Sequence, residues 1–265
     1  MLCDFHLHTS FSGDSDTPPV RQIEQAVRLG MACICITDHH DMDVRSACDF
    51  NLALPDYFLA MEELRDRYRK NLKVEIGIEL GLQNHIIPEL NQVALEYPFD
   101  FIIGSCHFID GLDPYYPEYF EGRTESESYR HFFEVTLKRV QNMDCFDALG
   151  HLDYVVRYGP NKNQAYHYKD YQDVIDLILK TLIHKGKALE CNTGGFHYGL
   201  GHPNPCEEIL CRYRELGGEL ITVGSDAHSP EYVGYAFDSA ALLLKKCGFS
   251  YYSVYHKRIP RFLPL

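Results

Sequence analysis

No stretch of this chain approaches the roughly 20 consecutive apolar residues of a membrane-spanning helix, which excludes a bundle of such helices as its architecture. Positive charge is also in short supply. With 25 Lys and Arg against 38 Asp and Glu the net charge is −13, so no nucleic-acid partner is expected, and none at a membrane. A glycine-rich dinucleotide or P-loop fingerprint is missing, which argues against nucleotide-cofactor chemistry. The start of the chain lacks a basic region and an apolar core, because Asp4 and His6 interrupt it at once. It therefore does not read as a signal peptide, and a cytoplasmic protein is expected. Ten cysteines are present, but no Cys-x-x-Cys pair. Cys33, Cys35, Cys145 and Cys191 sit in apolar runs and are expected to be small buried hydrophobes, with no disulfide framework.

What is present suits one large domain. The 265 residues are 45% hydrophobic and 24% charged, enough for a sizeable core over 1–265 with no linker or repeat. Short buried strands are expected over 2–6, 33–37, 73–80, 101–105, 148–151, 188–192 and 220–224. Helical patterns fall between them: 19–30 opened by Pro18 and Pro19, then 55–71, 88–97, 125–142, 168–185, 205–216 and a closing 233–247. Alternating β and α implies a parallel sheet. Seven such units suit a (β/α) barrel short of eight, with an open doubly wound sheet as the alternative.

Histidines and carboxylates crowd the C-terminal ends of these strands. Strand one ends in His6-Leu-His8, whose alternate positions share a face and can hold one ion together. Strand two ends in Asp38-His39-His40-Asp41, strand three in Glu79, strand four in Ser105-Cys106-His107, strand five in His151, and strand seven in Asp226-Ala-His228. Strand six ends in the small polar turn Asn192-Thr193-Gly194-Gly195. One His-x-His is weak. So many ligand types at six of seven strand ends are hard to explain by packing, because buried charge requires a partner. Imidazole and carboxylate donors suit zinc, iron(II) or manganese. Glu79 can bridge two ions, and Asp38 is expected to orient a ligand from behind. His131, His167, His184 and His256 read as surface or helix residues.

The runs Asp4-Phe-His6-Leu-His8-Thr9, Thr37-Asp38-His39, Gly104-Ser105-Cys106-His107-Phe108-Ile109-Asp110, Gly150-His151-Leu152-Asp153, Glu190-x-Asn192-Thr193 and Gly224-Ser225-Asp226-Ala227-His228 resemble the PHP (polymerase and histidinol phosphatase) superfamily, and within it the histidinol-phosphate phosphatase branch. The resemblance spans essentially the whole chain. It implies an α/β fold, a distorted (β/α)7 barrel with a metal site at the C-terminal strand ends, and three divalent ions. By motif position His6, His8, Glu79 and Asp226 would hold the first, Glu79, His107 and His151 the second, and His39 and His228 the third. A further ligand shortly after His8 is implied, either Asp14 or Asp16, with Asp14 the better fit.

The same resemblance implies a metal-dependent phosphomonoesterase acting on L-histidinol phosphate through a metal-bridging hydroxide. Three divalent ions bring about six positive charges. Asp14, Glu79, Asp226 and a hydroxide remove about four, leaving a charge that matches a phosphate-monoester dianion. Arg157, just after the His151 strand end, is expected to clamp phosphate, with Ser105 also near it. Asp226 or His228 is expected to serve the leaving alkoxide. Relatives often carry an arginine after the Asn-Thr-x-Gly turn, where this chain has His197, so either a protonated His197 takes that role or the substrate is held differently. The tyrosine-rich segment 109–122 is either a lid over the site or a loop folded onto the barrel. Three other readings stand beside this one: a phosphoesterase for nucleotides or other small esters, an amidohydrolase, and a non-catalytic metal-binding module. Glu79 and the Asp226-x-His228 pair fit the amidohydrolase pattern poorly.

Overall fold

The computed structural model describes residues 3–265. The elements run β1 (Cys3–Asp4), α1 (Pro19–Arg28), β2 (Cys33–Ile36), β3 (His39–His40), α2 (Leu54–Tyr68), β4 (Lys73–Gly81), α3 (Ile87–Glu96), β5 (Phe101–Ser105), α4 (Glu125–Asn142), β6 (Ala148–Leu149), α5 (Gln172–Lys185), β7 (Ala188–Asn192), α6 (Gly194–His197), α7 (Glu207–Glu215), β8 (Ile221–Gly224), α8 (Phe237–Lys246), β9 (Tyr251–His256) and β10 (Ile259–Pro264). Leu2, expected to open the first strand, lies outside the described residues.

Seven parallel strands form the sheet in the order β1-β2-β4-β5-β6-β7-β8, and β3 extends the β2 edge onto β4. The circuit returns to its start. Phe5 N donates to Val223 O (3.1 Å), Asp226 N to His6 O (2.8 Å) and His8 N to Ala227 O (3.0 Å). The sheet is thus a distorted seven-unit barrel, and the open doubly wound alternative falls. Residues of β2, β5 and β7 are buried throughout, as expected of parallel strands covered by helices on one side and filled by side chains on the other. The meeting of first and last strands needs Gly224. A Cβ there would strike His6 and lie 2.8 Å from Glu190 Oε1, so backbone approach depends on the missing side chain.

Local chemistry sets the helix ends. Pro19 opens α1 at a position where its missing N–H costs nothing. Thr124 and Glu127 form a capping box on α4, with Thr124 N donating to Glu127 Oε2 at 2.8 Å. Gly186 ends α5 in the left-handed region.

Two features depart from the sequence reading. Cys211 and Cys247 form a disulfide joining α7 to the end of α8. The expectation of buried, unpaired cysteines holds for the four named ones. The second departure is the β9–β10 hairpin, which turns at Lys257-Arg258, both at positive φ, and seals the N-terminal end of the barrel. Tyr255 packs on Phe101 with centroids 4.8 Å apart. His256, read as a surface or helix residue, instead places Nδ1 3.1 Å from Glu75 and 3.2 Å from Asp100. Arg258 holds the buried Asp147 through Nε and Nη2, both at 2.9 Å.

Arg258→Ala leaves the Asp147 carboxylate without its cation inside the barrel floor. It should lower unfolding free energy by about 3 kcal/mol, read from urea denaturation, without lowering metal affinity at the opposite end.

Candidate metal centre

At the other end of the barrel, Glu79 is the hub. It sits near the end of β4 with no exposed surface. Its Oε2 lies 3.3 Å from His6 Nε2 and 3.4 Å from His8 Nε2. Its Oε1 lies 2.9 Å from His151 Nε2 and 3.2 Å from His107 Nε2. Asp226, which adopts φ 58 at the end of the last strand, brings Oδ1 to 3.6 Å from His6 Nε2 and 3.3 Å from His8 Nε2. A left-handed residue other than glycine is tolerated best when it is Asp or Asn.

Buried donor and acceptor atoms are normally paired. Here His6 Nε2, His8 Nε2, His39 Nδ1 and Glu79 Oε2 have no hydrogen-bond partner among the described residues, although all face one another. The edges of the His6, His8, Glu79 and Asp226 set run 3.3–3.6 Å. Tetrahedral ligands about 2.0–2.1 Å from a zinc ion stand about 3.3 Å apart. The residues therefore fit a metal ion. A second set, Glu79 Oε1 with His107 and His151, has edges of 2.9–3.4 Å. A third gathers Asp14 Oδ2, 3.2 Å from His228 Nε2 and 3.5 Å from His39 Nε2. Asp14 thus stands where the further ligand was expected. Asp16 is exposed and off the cavity wall.

The outer nitrogens explain why Nε2 faces inward. His6 Nδ1 meets Glu190 Oε1 at 2.6 Å, His107 Nδ1 meets Asp41 Oδ1 at 3.1 Å, and His228 Nδ1 meets the Asp226 carbonyl at 3.0 Å. His8 Nδ1 meets Ser12 Oγ at 3.1 Å, and that hydroxyl donates to Asp38 at 2.6 Å. With Nδ1–H donated outward, the Nε2 lone pair is left for a cation. Asp38 thus reaches His8 through Ser12. Ser12, Asp41 and Glu190 were not picked out from sequence as site residues. Asp41 and Glu190 lie within the strand-end motifs, and Ser12 opens the run that carries Asp14.

Charge follows the same layout. Burial opposes ionisation of Glu79, but His6, His107 and His39 hold its pKa well below the usual carboxylate range. Burial likewise opposes ionised Asp226, and His6 and Arg157 overcome it. His8 is pushed well down by burial and then by His228 and His39, which favours the neutral, ligating imidazole.

A cavity of about 380 Å³ opens over these groups, within the range of small-molecule sites. Arg157 is buried on its wall. Its Nη1 donates to Asp226 Oδ2 at 2.8 Å, Nη2 to Asn192 Oδ1 at 2.9 Å and Nε to Asn204 Oδ1 at 2.7 Å. Two expected phosphate contacts are placed elsewhere. Ser105 is fully buried and donates to Glu79 Oε1 at 2.6 Å, so it steadies the hub. His197 packs at a tilt against Tyr232, with ring centroids 3.8 Å apart, beside a separate cavity of about 80 Å³ behind Asp226 and His228. The tyrosine-rich segment divides between its two readings: Tyr115 and Tyr116 line the main cavity, and Tyr119 is buried in the core.

Residues 4–194 match the model of the PHP domain. This chain belongs to the PHP domain family. Its relatives include the histidinol-phosphatase of Lactococcus lactis subsp. lactis, 34% identical over 252 residues covering 93% of this chain and 91% of that one. A Thermotoga maritima protein named as a probable histidinol-phosphatase is 32% identical, covering 97% of each chain. The crystal structure of the Lactococcus lactis histidinol phosphate phosphatase, in complex with zinc, L-histidinol and phosphate, superposes with a TM-score of 0.90 at 32% identity over 98% of both chains. Among the described residues of this PHP chain, no helix is long and apolar enough to cross a membrane.

Glu190→Gln replaces the charged acceptor of His6 Nδ1 by a neutral one. It should weaken metal affinity by about 10- to 100-fold, measured by chelator competition. Unchanged affinity would remove Glu190 from the centre.

Proposed function

We propose that this chain is a metal-dependent histidinol-phosphatase that hydrolyses L-histidinol phosphate to L-histidinol and phosphate in histidine biosynthesis. We propose further that residues 1–265 act as one cytoplasmic domain binding three divalent ions drawn from zinc, iron and manganese. The observation that carries this reading is the convergence of unpartnered, buried His6, His8, His39 and Glu79 atoms beneath an open cavity. The near-full-length likeness to a phosphatase solved with zinc, L-histidinol and phosphate supports it.

Divalent ions held by these residues would lower the pKa of a bound water and neutralise charge on the phosphoryl oxygens. The chain's own side chains supply the frame. Glu79 joins the first two ligand sets through its two oxygens, and Asp14, His39 and His228 form the third at the cavity wall. A guanidinium carries five N–H donors, and Asp226, Asn192 and Asn204 take three from Arg157. The remaining donors are available for phosphate oxygens, fixed in direction by the residues behind them. Asp226 accepts from Arg157 through one oxygen and faces His6 and His8 with the other, so it ties the phosphate clamp to the first ligand set. That role commits it as an acceptor.

Metal-loaded protein should release phosphate from L-histidinol phosphate with kcat/KM at least about 100-fold above that for p-nitrophenyl phosphate. Equal values would overturn the substrate assignment. Arg157→Ala should lose about 10²- to 10³-fold in kcat while retaining metal. Full turnover in that variant would remove the clamp.

A further inference from the structure

Four carboxylates line the main cavity: Asp14, Asp41, Asp113 and Asp226. Three are committed. Asp14 faces His39 and His228, Asp41 accepts from His107, and Asp226 faces His6, His8 and Arg157. Asp113 is different. It lies on the loop between β5 and α4, and its Oδ1 accepts from Tyr115 N at 2.8 Å and from the Tyr154 hydroxyl at 3.2 Å. Its Oδ2 takes no hydrogen bond among the described residues. Arg157 is the sole Lys or Arg on the described wall, and it is turned toward Asp226.

Aromatic rings share the cavity wall with Asp113. Tyr115, Tyr154 and Tyr158 line the same cavity, with Tyr158 5.2 Å from Tyr115 and 5.1 Å from Tyr154 between ring centroids. A carboxylate among tyrosine faces is the chemistry that recognises an alkylammonium. Tyr154 also fixes its position relative to the metal centre. Its ring packs 5.0 Å from that of His151 and 5.4 Å from that of His107, while its hydroxyl reaches Asp113. The cavity therefore carries a carboxylate at Asp113 one tyrosine ring away from the imidazoles of His107 and His151.

We propose that Asp113, held by Tyr154 and flanked by Tyr115 and Tyr158, is the subsite for the substrate's ammonium group and selects aminoalkyl phosphates over other phosphomonoesters. The inference rests on the phosphatase reading above and adds the group that decides specificity. Burial raises the Asp113 pKa, and an ammonium docked on Oδ2 would restore the charged form that burial disfavours.

The test compares metal-loaded wild type, D113N and Y154F on three esters: L-histidinol phosphate, its deaminated analogue with hydrogen in place of the amine, and p-nitrophenyl phosphate. D113N should lose about 10- to 100-fold in kcat/KM on L-histidinol phosphate, mainly through KM. Its loss on the deaminated analogue should be about threefold or less. Y154F, which keeps the ring and removes one donor to Asp113, should show a smaller selective loss, and it carries the test if D113N does not fold. Equal losses on all three esters, or no loss on any, would overturn the subsite. Wild type that prefers L-histidinol phosphate to p-nitrophenyl phosphate but not to the deaminated analogue overturns the subsite alone. Wild type with no preference over p-nitrophenyl phosphate overturns the substrate assignment itself.

Discussion

Everything at the top of this barrel depends on one buried carboxylate. Glu79 has no contact with solvent, and its two oxygens face His6, His8 and His39 on one side and His107 and His151 on the other. A carboxylate taken out of water costs several kcal/mol unless opposite charge meets it. Among the described residues no Lys or Arg ion pair with Glu79 accompanies these imidazoles. Those of His6, His8 and His107 are turned to offer lone pairs by acceptors behind them, so the arrangement calls for cations shared by Glu79 and its neighbours. A parallel barrel supplies the geometry. Strand ends converge there, and side chains from six of them meet because each strand's register is fixed by its neighbours, as Glu79 is placed opposite His39 on one side and Ile103 on the other.

The two ends of the barrel divide the labour. The floor is closed by a hairpin and by ion pairs such as Arg258 with Asp147, where each carboxylate already has its cation or hydrogen-bond donors. The upper end leaves its acceptors facing one another and opens into a cavity. That contrast separates stability from chemistry: carboxylates are met by a cation or by N–H donors at the floor, and face unpartnered imidazole nitrogens at the upper end. Arg157 stands at the boundary, tied to Asp226, Asn192 and Asn204 below and open to the cavity above.

The alternation of strand and helix was readable because buried parallel strands carry short apolar runs, and all seven appear near their expected places. The ligands were readable for a related reason, since His6, Glu79, His107 and Asp226 interrupt or end those runs, where a polar residue stands out. What supports them was harder to see. Ser12 and Asn204 lie in irregular segments with no periodicity, and they reach His8 and Arg157 only after the chain has folded. Ser105 and His197 were expected at the phosphate because of where they fall in motifs, but their side chains turn to Glu79 and to Tyr232. Sequence position does not carry that direction. The final hairpin was hidden by Pro260 and Pro264 in its outer strand, residues that usually argue against a strand except at an edge. The pairing of Cys211 with Cys247 joins helices 36 residues apart, beyond any local signal.

The central claim is that Glu79 is shared between ligand sets, and metal stoichiometry in Glu79→Gln tests it most directly. Wild-type and variant protein would be loaded with zinc or manganese, freed of excess ion, and their metal content measured by plasma mass spectrometry alongside circular dichroism. The account predicts three ions per wild-type chain and at most one in the folded variant, held by Asp14, His39 and His228. A folded Glu79→Gln protein that keeps the full wild-type complement would contradict it.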